Sequence, residues 1–232
     1  MITLIAHRSG PDLYPEQTIT SARRALENGA DIVEMDIQYT CDGVPVICHD
    51  PSCLRMFGVD KPVTEMTEAE FLTLRHASDR AYASHSLADV LDCGVFPLLL
   101  HCKLTGDKIS HLAQFIAERG CAEKCVIGVQ NADDVVRVKN ASKDIRVLSF
   151  MPKLEQLDSF LESDAEYIRI WEQWEPQKHV ERIHAAGKQM WIMSNEGNKV
   201  GIATVENMHF WRDIGSDAIL INDVPWAINA LK

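Results

Sequence analysis

The stretch GADIVEMDIQYTCDGVPVICHD, residues 29–50, places two β-rich runs on either side of a turn signal. Residues 31–40 form the first run, CDG at 41–43 forms the turn, and VPVICHD returns from it. The stretch predicts a β-hairpin, in which residues near 48–49 lie opposite residues near 35–36. Because the returning run ends just before a proline, we expect its last side chains at a rim and not in a packed interior.

Strand-like runs and helix-like runs alternate around this hairpin along the whole chain of 232 residues. Without the returning arm there are eight predicted strands, and this order predicts an α/β fold of the (β/α)8 TIM-barrel type. The hairpin follows strand two, and a modest insertion lies in the crossover between strands two and three. A doubly wound open sheet stays the alternative. The predicted strands are residues 3–8, 31–37, 97–103, 125–129, 145–149, 166–171, 188–193 and 217–222.

Composition predicts one globular domain over residues 1–232, since 46% of the residues are hydrophobic and 25% are charged. No apolar run reaches the ~18 residues of a membrane span, so we expect no integral membrane contact. The amino terminus reads as a strand without a basic leader, and we therefore expect no signal peptide. Seven scattered cysteines without zinc-finger spacing predict free thiols in a reducing cytoplasm.

The net charge of −11 and the lack of a lysine or arginine run argue against a nucleic-acid partner. A few local cations could still hold one small anionic ligand. Oligomeric state is not indicated by the sequence. The longest crossover, residues 50–96, could cover the barrel mouth as a lid.

Glu34 and Asp36 are two residues apart on a predicted strand, so their side chains share one face. The apolar residues that alternate with them must pack against the helices, so both carboxylates point into the barrel. Bare buried carboxylates are costly, and a cation such as Mg²⁺ or Ca²⁺ would offset that cost. The alternative is a structural pair that is salt-bridged to Arg8 or Lys103.

Two histidines reach the same mouth, because barrel active sites lie at the carboxyl ends of the strands. His7 ends the first strand, and the hairpin returns His49 beside the acidic pair. Imidazoles titrate near neutral pH, so this pair suits a general acid and a general base. Arg8 and Lys103 add cations that could bind a phosphate or simply balance the acidic charge.

The sequence resembles the glycerophosphodiester phosphodiesterases of the phospholipase C-like phosphodiesterase superfamily. The resemblance rests on HRSGPDLYPEQT, on GADIVEMDIQYTCDGVPVICHD, on LLLHCK and on GSDAILINDVP. It implies a (β/α)8 barrel, one divalent cation, and hydrolysis of a glycerophosphodiester to an alcohol and glycerol phosphate in lipid metabolism. The roles it implies are His7 and His49 as the acid/base pair, Glu34 and Asp36 as metal ligands, and Arg8 and Lys103 as phosphate contacts.

The sequence departs from the family pattern at three positions. Ser9 replaces a glycine and Gln17 replaces an asparagine, and both changes look tolerable. His101 replaces the third carboxylate ligand, which extends the choice of cation from Mg²⁺ or Ca²⁺ to Mn²⁺ or Zn²⁺. Glu16 keeps its place and is expected to orient Arg8 or a substrate hydroxyl, and Glu172 is a candidate replacement carboxylate.

His101 also keeps two other functions open. One is a phosphodiester-binding barrel with impaired turnover. The other is a superfamily phosphodiesterase that acts on a phospholipid or on a specialised sugar phosphodiester. In every case the expected partner is one small-molecule phosphodiester.

Overall fold

A computed structural model describes residues 2–232. Eight parallel strands form a closed barrel, and a ninth short strand pairs antiparallel with the second. The (β/α)8 fold and the hairpin predicted from the sequence are therefore confirmed. The strands are β1 Thr3–Ala6, β2 Ile32–Tyr39, β3 Pro45–Ile47, β4 Leu98–Cys102, β5 Cys125–Val129, β6 Arg146–Ser149, β7 Tyr167–Trp171, β8 Gln189–Met193 and β9 Ala218–Ile221.

Strand β1 closes the barrel because it pairs in parallel with both β2 and β9. In the hairpin, Ile37 of β2 lies opposite Ile47 of β3, and the backbone N–H of Cys48 donates to the carbonyl of Asp36 at 3.1 Å. This register returns the end of the hairpin to the middle of β2, as the sequence predicted.

The helices alternate with the strands and surround the barrel. Their bounds are α1 Ile19–Glu27, α2 Leu54–Phe57, α3 Glu68–Phe71, α4 Leu87–Asp92, α5 Asp107–Glu118, α6 Ala132–Ala141, α7 Leu157–Leu161, α8 Val180–Ala185, α9 Val205–Asp213 and α10 Val224–Ala230. Within residues 2–232, none of these helices combines the length and the apolar character needed to span a bilayer. All seven cysteines are free thiols, and the cytoplasmic location stays a prediction.

The segment between β3 and α4 contains little helix. Helix α3 is a single turn that begins after a capping box at Thr67. The Ser84 hydroxyl donates to the carbonyls of Phe71 and Leu74, which a longer helix would have used itself. The rest of the segment packs around its own apolar cluster.

Two layers of apolar side chains build the barrel and leave its upper end polar. Val33, Met35 and Ile37 of β2 face the surrounding helices. The barrel interior is filled from the other face of the strands, where Tyr167 stacks on Trp191 with 4.3 Å between ring centroids. Beyond these apolar interior positions, polar side chains lie together at the carboxyl ends of the strands.

Candidate active site

A cavity of about 310 Å³ opens at the carboxyl ends of the barrel strands. The cavity brings together residues from four separate stretches of the sequence. Glu34 and Asp36 are each only 1% exposed at its floor, as their alternation with apolar residues predicted. Six of the predicted site residues line the cavity: His7, Arg8, Glu34, Asp36, His49 and His101.

Backbone and side-chain donors hold the two carboxylates in place. Glu34 accepts a hydrogen bond from the backbone N–H of Arg8 at 2.7 Å. Gln17 binds Asp36 twice, because its Nε2 donates to Asp36 Oδ2 at 2.7 Å and its Oε1 accepts from the Asp36 N–H at 3.0 Å. Gln17 holds this position with a positive φ of 61°. Its amide thus fixes which oxygen of Asp36 faces the cavity.

The other oxygen of Asp36, Oδ1, is the main evidence for a cation site. Asp36 Oδ1 is buried and has no hydrogen-bond partner in the described chain, although His101 Nδ1 is 3.1 Å away and Lys103 Nζ is 3.5 Å away. One ligand atom from each of Glu34, Asp36 and His101 lies within 4.8 Å of the others. A buried oxygen that accepts no hydrogen bond, beside a second carboxylate and an imidazole, fits a divalent cation. We call these three residues the ligand cluster.

The surroundings of the two carboxyl groups shift their pKa values in opposite directions. Burial, and then the nearby charge of Asp36, raise the pKa of Glu34 well above its usual value. Burial would also raise the pKa of Asp36, but the neighbouring His101 and Lys103 outweigh it and hold that pKa below the usual range. Without a cation, negative charge is therefore more favourable on Asp36 than on Glu34.

His7 is buried and presents one ring nitrogen to the cavity. Its Nδ1 lies 2.8 Å from Asn222 Oδ1. The Asn222 amide nitrogen donates to Asp12 and to the carbonyl of Val200, so the amide oxygen is the atom that faces His7. This orientation assigns the ring proton to Nδ1 and leaves Nε2 as an acceptor. Burial, together with the adjacent Arg8 charge, lowers the pKa of His7 to about 3.

His49 is also held as a neutral ring with its proton on Nδ1. Nδ1 lies 2.5 Å from Asp50 Oδ1, and Nε2 accepts from Arg8 Nη2 at 2.5 Å. A guanidinium can only donate, so Nε2 carries the lone pair. Burial lowers the pKa of His49, while the carboxylates of Asp36 and Asp50 oppose that shift.

Five side chains at the mouth form a closed network, which we call the polar ring. Arg8 joins His49 to Glu16, with its Nη1 3.3 Å from Glu16 Oε2. Arg55 completes the ring from the other side, since it pairs with Glu16 and its Nε donates to Asp50 at 2.5 Å. Glu16 therefore orients Arg8, one of the two roles expected for it. The ring also connects the segment after β3 to the loop after β1.

Two other predicted residues take different positions. Lys103 reaches the mouth, where its Nζ donates to the carbonyl of His49 at 2.8 Å. Glu172 is not in the ligand cluster. Its two oxygens accept from the backbone of Asn195 and from the side chain of Asn207, both at 2.7 Å. The structure therefore does not place Glu172 as a replacement carboxylate ligand.

Several residues of the site were missed by the sequence analysis. Gln17 was treated as a tolerable change, and the contacts that Asn222 and Asp50 make with the histidines were not foreseen. Arg55 gives no sequence signal, because it follows no barrel strand. Arg169 lines the cavity from β7, and the alternation of apolar residues in that strand could have identified it.

Comparisons with known proteins agree with the motifs. Residues 7–102 match the glycerophosphoryl diester phosphodiesterase family. Glycerophosphodiester phosphodiesterase 1 of Rattus norvegicus is 29% identical over 153 residues, which cover 66% of this chain and 44% of that protein. A glycerophosphodiester phosphodiesterase of Bacillus altitudinis is 33% identical over 99 residues, which cover 43% of this chain and 38% of that protein. The chain thus matches less than half the length of either relative.

Solved structures share the fold over the whole chain. A phosphodiesterase from Oleispira antarctica, solved with the product sn-glycerol-3-phosphate, superposes with a TM-score of 0.82 at 19% identity. The superposition covers 99% of this chain and 96% of that one. The resemblance to the glycerophosphodiester phosphodiesterase family, predicted from the motifs, is confirmed, and the family pattern is matched over residues 7–102.

Proposed function

We propose that residues 1–232 act as one catalytic domain that hydrolyses a glycerophosphodiester to an alcohol and glycerol phosphate, with a divalent cation bound. The observation that carries the proposal is the convergence of two neutral imidazoles and a buried carboxylate pair on one cavity. The names of the relatives and of the product complex support the same substrate class.

The cation would be held by Glu34, Asp36 and His101, whose donor atoms are already close together. When bound, it supplies Lewis-acid polarisation of a phosphate oxygen. Two carboxylates and one imidazole select less strongly for Mg²⁺ or Ca²⁺ than three carboxylates would. Mn²⁺ and Zn²⁺ therefore belong in any test. The fit rests on the buried Oδ1 of Asp36, which accepts no hydrogen bond in the described chain.

Arg8 and Lys103 are the proposed phosphate contacts. Arg8 is 21% exposed and can turn from His49 toward an incoming phosphate, which its planar fork binds through two oxygens. That turn would also release His49 Nε2 for proton transfer. Lys103, whose Nζ lies 3.5 Å from Asp36 Oδ1, adds a second positive charge.

We assign His7 as the general base and His49 as the general acid. Nε2 of His7 is an unprotonated nitrogen that faces the cavity, and no carboxylate binds its other nitrogen. It therefore accepts the proton of the nucleophile, which is either water or a neighbouring hydroxyl of the substrate. His49 instead contacts Asp50, a carboxylate that stabilises an imidazolium. Once Arg8 has turned away, Nε2 of His49 is free to take up a proton from solvent, which it then donates to the leaving alkoxide.

A direct assay tests this function. Purified protein is incubated with glycerophosphocholine, glycerophosphoethanolamine and glycerophosphoglycerol under Mg²⁺, Ca²⁺, Mn²⁺ or Zn²⁺, and glycerol phosphate is measured. Release of glycerol phosphate with at least one cation is expected. Binding without turnover under every cation would contradict the proposal. It would instead favour the binding-only barrel, for which the histidine at position 101 is the specific observation.

His101→Glu is expected to tighten Mg²⁺ binding by at least about tenfold, or ~1.4 kcal/mol. The new carboxylate restores a hard oxygen ligand and a negative charge beside Asp36. Isothermal titration calorimetry checks this without any substrate. The control His101→Gln removes the imidazole without adding charge and should bind Mg²⁺ no better than the wild type. Equal or weaker Mg²⁺ binding in His101→Glu would remove residue 101 from the ligand cluster.

Gly201→Ala is expected to lower hydrolysis by about 10²-fold, the scale of a small misplacement at an active site. A Cβ at Gly201 would lie 1.8 Å from Asn222 Oδ1, so it would push that amide away from His7. Gly187→Ala is the matched control, because Gly187 also has a positive φ, of 72°, but has open space around it. Both variants lose stability to backbone strain. Only Gly201→Ala should lose activity beyond the loss of folded protein, and equal activity in the two would contradict the role of Asn222.

A further inference from the structure

Arg169 is a charged side chain inside the barrel. In β7 the residues Ile168 and Ile170 pack against the helices, so Tyr167 and Arg169 face the barrel interior. Arg169 is 3% exposed and lines the same cavity as His7 and the ligand cluster. A cation at this depth needs an explanation, because arginine is rarely fully buried without a partner.

No carboxylate of the described chain pairs with Arg169. Its Nη2 donates to the carbonyl of Met151 at 2.8 Å, while Nε and Nη1 are buried without any hydrogen-bond partner among residues 2–232. Burial lowers the pKa of Arg169 to about 9, so the guanidinium keeps its charge at neutral pH. A buried, unpaired charge costs several kcal/mol, and a neutral side chain would avoid that cost.

Aromatic rings offset part of the free-energy cost of burying this charge. The guanidinium carbon lies 4.5 Å from the ring centroid of Trp171, 5.1 Å from that of Trp174 and 5.5 Å from that of Phe150. Such contacts stabilise a cation by only about 0.5–2 kcal/mol each and do not satisfy the two free N–H groups. Phe150 also stacks on His101 with 3.9 Å between centroids, so the guanidinium lies one ring away from the ligand cluster.

The other cations of the mouth already have partners. Arg8 contacts Glu16, and Lys103 lies beside Asp36. Arg169 differs from both because its charge has no acidic neighbour within bonding distance in the described chain. Its planar donor fork suits an oxyanion with two acceptor oxygens.

We propose that Arg169 binds a second acidic group of the substrate, a carboxylate, in addition to the phosphodiester. This inference rests on the proposed function, since it places that group in the same cavity. Substrates with an extra anionic group are then favoured over neutral or cationic ones. Because Nε and Nη1 are shielded, the half-buried Trp171 is expected to turn aside as the anion arrives.

Two ligands of the same carbon number provide a direct test. Glycerol 3-phosphate and 3-phosphoglycerate differ in one end group, a hydroxymethyl in the first and a carboxylate in the second. Their affinities are compared by isothermal titration calorimetry with a chelator present, so that no divalent cation contributes. We expect the wild type to bind 3-phosphoglycerate at least about tenfold more tightly, equal to ~1.4 kcal/mol.

Variants then connect that preference to one residue. Arg169→Met should bind both ligands equally, and Arg169→Lys should keep part of the preference. Arg119→Met, which removes an exposed charge at the end of α5, should behave as the wild type. Equal affinities in the wild type would overturn the proposal, as would an unchanged preference in Arg169→Lys and Arg169→Met. If Arg169→Met does not fold, the wild-type comparison and Arg169→Lys still decide.

The same measurements separate this inference from the proposed function. Binding of the two phosphates does not require turnover, so the anion preference can hold even if no diester is hydrolysed. Conversely, hydrolysis of glycerophosphoglycerol with no carboxylate preference would retain the function and remove the role of Arg169. An equal loss of kcat/KM in Arg169→Lys for a neutral and a carboxylated diester would indicate a purely structural residue.

Discussion

Replacing His7 or His49 by asparagine is expected to lower kcat for a glycerophosphodiester by about 10²–10⁴-fold, the usual contribution of general acid–base catalysis. Asparagine keeps a hydrogen-bonding group in the cavity but cannot exchange a proton near neutral pH. Each Nδ1 is fixed by a separate partner, which leaves Nε2 of each ring as the nitrogen that can exchange a proton. Steady-state kinetics at saturating cation and substrate measures the loss.

A leaving group that needs no proton should separate the two roles. With a p-nitrophenyl diester of glycerol phosphate, His49→Asn should recover most of its lost rate, whereas His7→Asn should stay inactive. His209→Asn is the control, because His209 lies in α9 and does not line the cavity. Recovery of His7→Asn alone would reverse the assignment of acid and base. Full activity of both variants on the natural diester would reject catalysis by this pair.

Asp36→Asn is expected to abolish divalent-cation binding and to reduce hydrolysis to the level reached with a chelator. Oδ1 of Asp36 is a buried acceptor of the ligand cluster without a hydrogen bond in the described chain, and an amide removes the negative charge. For the wild type, cation at about 100 times its Kd should stabilise the fold by ~2.7 kcal/mol. Thermal unfolding with and without the cation measures that stabilisation, which should vanish in Asp36→Asn.

Glu172→Gln is the matched control for this prediction, since Glu172 is a carboxylate at the rim whose oxygens bind Asn195 and Asn207. It should keep the full stabilisation by the cation. A loss in Glu172→Gln equal to that in Asp36→Asn would show that Glu172 moves into the cluster when the cation binds. A cation response that persists in Asp36→Asn would place the cation elsewhere.

Regular strand periodicity explains which parts of the site could be predicted. The alternation around Glu34 and Asp36 fixed their direction, because the apolar partners had to face the helices. The turn at residues 41–43 then set the register that returns His49 to the same level. Both inferences use short-range geometry that the backbone imposes on any sequence.

Contacts between distant loops explain what the sequence did not reveal. Gln17 reaches Asp36 from an irregular turn, and Arg55 reaches Glu16 from a helix of one turn. Neither position follows a period, so no pattern indicates where its side chain points. The alternation of apolar residues in β7 predicts an inward direction for Arg169, but strand ends are the usual place of barrel active sites, and that rule points to Glu172 instead. Glu172 shows the reverse error, as a residue at a strand end whose oxygens are occupied by other partners.

The polar ring has a consequence for attempts to change what this barrel acts on. Exchanging the segment between β3 and α4 for that of another barrel is an obvious engineering route, since loops tolerate replacement better than strands. Here a graft without an arginine at position 55 would leave Glu16, only 6% exposed, with one of its two cationic neighbours missing. A transplanted loop must therefore place a guanidinium beside Glu16. Otherwise the residue at position 16 must be changed to a neutral one.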